Sequence, residues 1–243
     1  MSSIKQKVQQ FWDEFNNGNL TLIPIDSVSK IDIYSEGVPL FLADDGLGGA
    51  INLKLEDWER GRLGFGARGG SYDYIRAFGK NETQKPFSSQ VFLEYTQSTE
   101  DFSYFDDNGT PFNPDDDRYS KRSGNEFKRG VLFPRILIRK SLDETLSAFS
   151  LNAYSDSQIP GATSLPTKGK LYQFYNLSAL SYDVGTERGF SSSSRLFFRA
   201  DSEKLNMEQS SFGGPYSSRS KALALGFRKI GRASCRERVY VLV

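Results

Sequence analysis

From about residue 61 onward the chain repeats one pattern. Short runs in which apolar and polar residues alternate are separated by polar stretches rich in Gly, Asp, Asn, Pro and Ser. Leu63, Phe65 and Ala67 alternate with Arg62, Gly64, Gly66 and Arg68, and Ile75 and Ala77 with Tyr74, Arg76 and Phe78. Val91, Leu93 and Tyr95 oppose Gln90, Glu94 and Thr96, and Leu132, Ile136 and Ile138 oppose Arg135 and Arg139. Phe149, Leu151 and Ala153 oppose Ser150 and Asn152, and Leu177 and Ala179 oppose Asn176 and Ser178. Leu196, Phe198 and Ala200 oppose Arg195, Arg199 and Asp201, and Leu223, Leu225 and Phe227 oppose Ala222, Ala224 and Arg228. A period of two is the side-chain period of a strand, whereas a helix needs 3.6. About eight such segments, each near the ~9–11 residues that a tilted strand needs to cross a bilayer, predict an all-β antiparallel sheet.

Two further features narrow the architecture. No run of about 18 apolar residues occurs, so a transmembrane helix is excluded, but barrel strands alternate and average out as hydrophilic. The connections also alternate in length, except that Gly69-Gly70, a compact turn, falls on the long-loop side. Residues 69–70, 81–86, 141–144 and 184–188 read as compact turns, and 104–124, 157–168 and 205–216 as long polar loops. Short turns on one side and long loops on the other are the signature of an outer-membrane barrel. A soluble sandwich has strands nearer ~5–6 residues. It would also have to bury Arg135, Arg139, Arg195 and Arg199 in a dry core at high cost, whereas a barrel turns them to a polar interior.

The formal charge is +1, which removes any global field for nucleic acid. The sequence has no His and a single Cys, Cys235, so His-based triads and His-ligated metals are excluded. A pair of carboxylates suffices for a glycosidase, but none of the 30 acidic residues has a distinguishing context. Cys235 lies in Ile230-Gly-Arg-Ala-Ser-Cys-Arg-Glu-Arg-Val239, which resembles the translated read-through of a common sequencing-library adapter. Residues 230–243 are therefore expected to be a non-native tail. Without its three Arg and one Glu the charge is −1, and no native cysteine remains.

Residues 1–57 have a different texture. Ile4, Val8, Phe11, Trp12 and Phe15 form one stripe of a short helix over residues 2–16, stopped by Asn17-Gly-Asn19. No signal peptide is read there, because residues 2–15 are polar and hold Lys5, Lys7, Asp13 and Glu14. Ile31 and Ile33 alternating with Asp32 and Tyr34 predict a short strand, followed by turn chemistry at Glu36-Gly-Val-Pro39. Gly46, Gly48 and Gly49 lack the Lys-Ser/Thr of a phosphate loop, so they read as close-packing and turn residues. Farther on, Asp106, Asp107, Asn108, Asp115, Asp116 and Asp117 share one loop. They are candidate ligand-binding residues and, as hard oxygen donors, candidate Ca²⁺ ligands, although their spacing is not that of an EF-hand. A solvated acidic loop is the preferred reading. Tyr95, Phe102, Tyr104 and Phe105, near the end of one strand, read as an interfacial aromatic girdle.

Two stretches carry a family resemblance. Ile23-Pro-Ile-Asp-Ser-Val-Ser-Lys-Ile-Asp-Ile-Tyr34, with Gly37-Val-Pro-Leu-Phe-Leu42 and Gly48-Gly-Ala-Ile-Asn-Leu53, resembles the last part of the plug of TonB-dependent outer-membrane receptors. Phe102-Ser-Tyr-Phe-Asp-Asp-Asn-Gly-Thr-Pro-Phe-Asn-Pro-Asp-Asp-Asp-Arg118 resembles the end of the third barrel strand and the loop after it, and Ile159-Pro-Gly-Ala162 a later loop. Where the family usually has Arg after the motif Tyr, this chain has Ser35.

The resemblance implies a plug-domain remnant over residues 1–57. Its motif residues are Ile31, Asp32, Ile33, Tyr34, Gly37, Pro39, Gly48, Gly49, Ala50, Ile51 and Asn52. Residues 58–229 would be the first strands of a transmembrane β-barrel, about eight of the roughly 22 that such transporters have. The implied function is energy-coupled uptake of a scarce nutrient, such as a siderophore–iron complex or cobalamin. The implied partners are a TonB-type energy-coupling complex, outer-membrane lipid and the small-molecule nutrient, and the implied location is the bacterial outer membrane. No bond chemistry and no resident cofactor are expected. The rival reading is a soluble or secreted β-rich carbohydrate-binding module or hydrolase.

Overall fold

The computed structural model describes residues 24–35, 50–55, 63–83, 87–110, 112–141, 143–162, 165–185, 190–208 and 214–233. The expected helix at residues 2–16, Gly37, Pro39, Gly46, Gly48, Gly49 and residues 234–243 lie outside them. The chain divides into two compact units, residues Met1–Glu59 and Arg60–Val243.

In the first unit, a 3-10 turn at Ile25–Ser27 leads into strand β1, Val28–Tyr34. Buried Ser27 closes that turn with both its amide (2.9 Å) and its hydroxyl (2.7 Å) on the carbonyl of Pro24. β1 pairs antiparallel with β2, Ala50–Leu55. The strand expected at Ile31 to Tyr34 is thus observed, and its partner is the second half of the same motif.

The second unit is all-β among its described residues. Its sheet of eight strands contains β3 (Leu63–Gly69), β4 (Ile75–Thr83), β5 (Phe87–Ser98), β8 (Phe127–Arg139), β9 (Glu144–Ala162), β10 (Leu165–Gly185), β11 (Phe190–Met207) and β12 (Tyr216–Ala233). The order is β3-β4-β5-β8-β9-β10-β11-β12, and every neighbouring pair is antiparallel. This is a meander in sequence order, as short connections dictate. It is interrupted by a small hairpin, β6 (Ser103–Asp106) with β7 (Arg118–Lys121).

Three expectations about connections change. Gly69-Gly70 is not the first turn. Gly69 ends β3, and the turn is centred on Tyr72 and Asp73, whose φ values are 60° and 52°. The amide of Tyr74 bonds the carbonyl of Ser71 at 3.2 Å, so this is a two-residue turn of the primed kind, whose twist matches a hairpin. A tyrosine at positive φ is strained. Here the Tyr72 carbonyl is held by three donors, the amide and hydroxyl of Thr99 and the hydroxyl of Ser98. Residues 157–168 are not mainly loop, because β9 runs to Ala162 and β10 restarts at Leu165. Residues 104–124 contain most of the β6–β7 hairpin. β12 continues through Ile230 to Ala233, the first residues of the adapter-like stretch, since backbone pairing with Phe190 to Ser193 does not depend on side-chain identity.

In-register partners share a sheet face, so the ladders sort the side chains. Every side chain of this sheet that is buried among the described residues lies on one face. Phe92, Val131, Phe133, Leu151, Ala153, Tyr175, Leu177 and Ala179 stand there with buried Arg76, Gln90, Glu94, Thr96, Arg135 and Ser181. The large apolar side chains that remain exposed lie on the other face, from Leu63 and Phe65 at one edge to Leu223, Leu225 and Phe227 at the other. Tyr216, at the start of β12, is the exception.

Candidate functional site

The buried face is dense with charge, and each charge has a local reason to be there. Glu94 on β5 is 1 % exposed and lies between two guanidinium groups. Arg76 on β4 donates to its Oε2 at 2.6 Å, and Arg129 on β8 to its Oε1 at 2.7 Å. Thr96, which sits between Arg76 and Arg129 on one rung, adds a longer bond of 3.3 Å. Two cations two strands apart, roughly 10 Å at ~4.8 Å per strand, thereby share one carboxylate. Short charge-assisted bonds of this kind are the form in which a buried carboxylate is tolerated.

The pattern continues across the sheet. Arg135 donates to buried Gln90 across the β5–β8 ladder. Arg195 donates to Ser181 at 3.0 Å, and Arg199 holds Asp201 Oδ2 through Nε at 2.7 Å and Nη2 at 2.6 Å. Aromatic rings support these heads. The Arg76 guanidinium lies 5.5 Å from the Phe78 centroid and that of Arg199 lies 5.7 Å from Tyr175. Phe78 stacks on Phe92 at 6.1 Å, and Phe133 meets Phe149 edge-on at 6.1 Å. Phe78 and Phe197 also lie over the glycines opposite them, Gly66 and Gly226, where a Cβ would fall 2.3 Å and 1.9 Å from ring atoms. Cations outnumber anions on this face, with Arg68, Lys80 and Arg228 adding to those already named. Such a surface can orient anionic or polar groups. Among the described residues, the Ser181 hydroxyl on this face meets a guanidinium and the Thr96 hydroxyl a carboxylate already held by two guanidiniums, so neither is paired with a free base.

The β6–β7 hairpin carries the acidic loop. Asp116 accepts from the Thr110 hydroxyl at 2.7 and 2.9 Å and from Asn108 Nδ2 at 3.2 Å, bonds that hold its carboxyl below the usual carboxylate range. Asp106 accepts the Asn108 amide and the Ser120 hydroxyl, and Asp107 accepts the Gly109 amide. At the hairpin base Lys121 and Thr99 bond Asp101 and hold it low as well. The oxygens of Asp106, Asp107 and Asp116 are thus directed at the loop's own donors. Among the described residues no three acidic side chains converge as metal ligands, so the calcium reading gains no geometric support. Asp115 and Asp117 flank Asp116 in and after the short 3-10 turn Pro114–Asp116.

Of the aromatic quartet, only Tyr95 belongs to the large sheet. Phe102 packs edge-on to Tyr72 at 6.4 Å, lining a shallow cleft with Gly70, Tyr74 and Glu100, and Phe105 packs on Tyr119 within the hairpin. A different aromatic row appears on the exposed face, where Tyr95, Tyr154 and Phe174 occupy one continuous rung through Gly130. Of the motif residues in the first unit, Ile31, Asp32, Ile33 and Tyr34 stand opposite Leu53, Asn52, Ile51 and Ala50. The two halves of the motif are therefore one hairpin, with Lys30 bonded to Asp32 at 2.8 Å.

Sequence reasoning did not find the Arg76–Glu94–Arg129 cluster, which joins three strands. Its one available signal is that all three sit on the polar phase of their segments. No family model matches the chain, and no curated protein matches it.

Proposed function

We propose that this chain is part of a TonB-dependent outer-membrane receptor that imports a scarce nutrient without bond chemistry. The observation that carries this reading is the sorting of side chains across the eight-stranded meander. Leucine, isoleucine and phenylalanine remain exposed on one face while the arginines and their carboxylates crowd the other. A sheet in water is stabilised by turning its apolar face inward. Here apolar side chains such as Phe92, Phe133 and Leu151 are buried among the arginines, while a second set, from Leu63 to Phe227, stays exposed on the opposite face, which suits a wall with lipid outside and a charged interior. The Tyr95–Tyr154–Phe174 row supports it, because interfacial aromatics gather at one bilayer level. So does strand length, since β9 to β12 have 18 to 21 residues and exceed what the hydrocarbon requires.

On this reading the eight strands are a segment of a barrel of about 22, and the β1–β2 hairpin is the C-terminal remnant of the plug. The acidic β6–β7 hairpin and the β9–β10 end belong to the ligand-facing loops, and a TonB-type complex supplies the energy. The polar, cation-rich face favours an anionic solute such as a siderophore–iron complex over a neutral one.

Two experiments test this. The protein expressed from its complete gene is expected in the outer-membrane fraction and to float with lipid vesicles. Leu93→Arg, at the centre of the exposed face, should weaken insertion by about 2–4 kcal/mol. Recovery as a soluble monomer overturns the membrane reading. A deletion strain grown on a panel of iron chelates and cobalamin should lose uptake of one member, and unchanged growth on all of them overturns import.

A further inference from the structure

The exposed apolar face changes character abruptly along its last three strands. Read from Phe227 back toward its start, β12 presents Phe227, Leu225 and Leu223, then Lys221 and Arg219. On β11 Leu196 and Phe198 give way to Lys204, and on β10 Leu180 and Phe174 give way to Tyr172 and Lys170. The ladders bring these changes to one level. Lys221 stands on the rung of Ser202, Phe174 and Tyr154, which is the aromatic row. On the next rung of this face Arg219 stands directly opposite Lys204, and Lys204 opposite Tyr172. The rung after that sets Lys170 beside Asn206.

Lys170, Lys204, Arg219 and Lys221 are exposed, and among the described residues none of them has an ion-pair or hydrogen-bonding partner. On the opposite face, by contrast, Arg76, Arg129 and Arg199 all hold carboxylates. Like charges facing each other across a ladder repel, so the Lys204–Arg219 rung is unfavourable by itself. Nearby acids do not neutralise the cluster. Asp156 lies on β9 and Glu126, bonded to Gln158, precedes β8, while Glu208 follows the end of β11. The other end of the same face has no such cluster among the described residues. There Lys140 lies 5.7 Å from the Tyr182 centroid, Glu144 takes the hydroxyl of that ring, and Lys229 stands opposite Ser194.

Apolar, then aromatic, then cationic is the order of hydrocarbon, interface and headgroup in a bilayer. The cations therefore fall at the depth of lipid phosphates. Phosphate oxygens placed between Lys204 and Arg219 turn their repulsion into two attractions, with the guanidinium able to hold two oxygens and the ammonium one. An uncharged headgroup does neither. A second copy brings the same charges and is repelled.

We propose that Lys170, Lys204, Arg219 and Lys221 bind the phosphate of an anionic lipid headgroup, whose acyl chains lie along Leu223, Leu225 and Phe198. This rests on reading the exposed face as the lipid side.

The test uses the protein expressed from its complete gene and purified in neutral detergent, with bound lipid counted by native mass spectrometry. Dioleoyl phosphatidic acid should bind about tenfold more tightly than phosphatidylcholine of the same chains, since each cation near an anionic surface strengthens association roughly fivefold. Lys204→Gln with Arg219→Gln and Lys221→Gln should abolish that preference, whereas Lys140→Gln with Lys229→Gln, at the other end of the face, should keep it. In the wild-type protein the preference should also collapse in about 0.5 M salt. Equal binding of the two lipids, a preference indifferent to salt, or an unchanged preference in the triple variant overturns the proposal. So does displacement of phosphatidic acid by equimolar inorganic phosphate, which would make the ligand a free phosphate. Flotation with vesicles separates this proposal from the membrane reading. Protein that floats with pure phosphatidylcholine but shows no lipid preference keeps the membrane reading and defeats the phosphate site. Protein that floats only with phosphatidic acid vesicles, and not as the triple variant, keeps the site and defeats the membrane reading.

Discussion

Glu94→Gln isolates the energetics of the buried charge cluster. The Glu94 carboxylate is 1 % exposed, and its two guanidinium partners are 7 % and 22 % exposed, so little solvent screens the group. Each charge-assisted bond contributes about 1.5–3 kcal/mol. Glutamine keeps the shape and one acceptor oxygen, which retains one bond in weakened, neutral form and loses the other. Breaking a buried ion pair by removing one partner costs about 3–5 kcal/mol. The half-retained acceptor and the other contacts of Arg76 and Arg129 place the expected loss near the lower end, at about 3 kcal/mol, or roughly a hundredfold in the folding equilibrium. The assay is equilibrium unfolding in guanidinium chloride of the full-length protein in lipid or detergent, followed by far-UV circular dichroism at matched denaturant slope. Replacing the whole cluster, Glu94→Leu with Arg76→Met and Arg129→Met, should recover much of the loss, because the desolvation cost of all three charges disappears with them. A loss below about 1 kcal/mol for Glu94→Gln would show that the cluster behaves as a solvated surface pair, and the reasoning about a buried shared carboxylate would fail.

Three further outcomes are expected. The folded state holds Asp116 below the carboxylate range through Thr110 and then Asn108, and Asp101 through Lys121 and then Thr99. Their contribution is therefore present above the unfolded value of about 4 and is lost as pH falls through the lower folded value, so proteolytic nicking within residues 101–121 should rise below about pH 4 while the large sheet stays protected; equal protection of the hairpin at pH 7 and pH 3 refutes this. Gly226→Val places a Cβ where the Phe197 ring lies and should cost about 1–3 kcal/mol in the same denaturation assay, with part of the cost relieved by Phe197→Leu; additive losses would mean the ring does not occupy that space. The 243-residue chain alone should aggregate on refolding into detergent, because β3 and β12 are the edges of the sheet and each leaves a row of backbone groups for another chain to pair with; a monomeric, heat-modifiable, protease-resistant band would overturn this.

What the sequence alone determined is the class of structure and the order of its parts. Alternation at Leu63, Val91, Leu196 and Leu223 marked strands because only an extended backbone sends successive side chains to opposite sides. Compact connections then required neighbours to pair antiparallel in sequence order. It also marked Ile31 to Tyr34 as a strand, although its partner became visible only when β2 lay beside it. The turn at Tyr72-Asp73 was hidden behind Gly69-Gly70, because a tyrosine at positive φ has no local preference for that state and is held there by Ser98, the last residue of β5, and Thr99 just after it. Only the tertiary structure decided the phase of β9 and β10. Alternation gives a period but not a sign: Leu151 with Leu177, or Ser150 with Ser178, can equally be the set that joins the arginines. A one-residue change of register exchanges the two sets, so the choice is made by pairing with β8 and β11. The Arg76–Glu94–Arg129 cluster belongs to the same category. Its members are 18 and 35 residues from the carboxylate they share, and no local pattern records which charges the ladders will bring together.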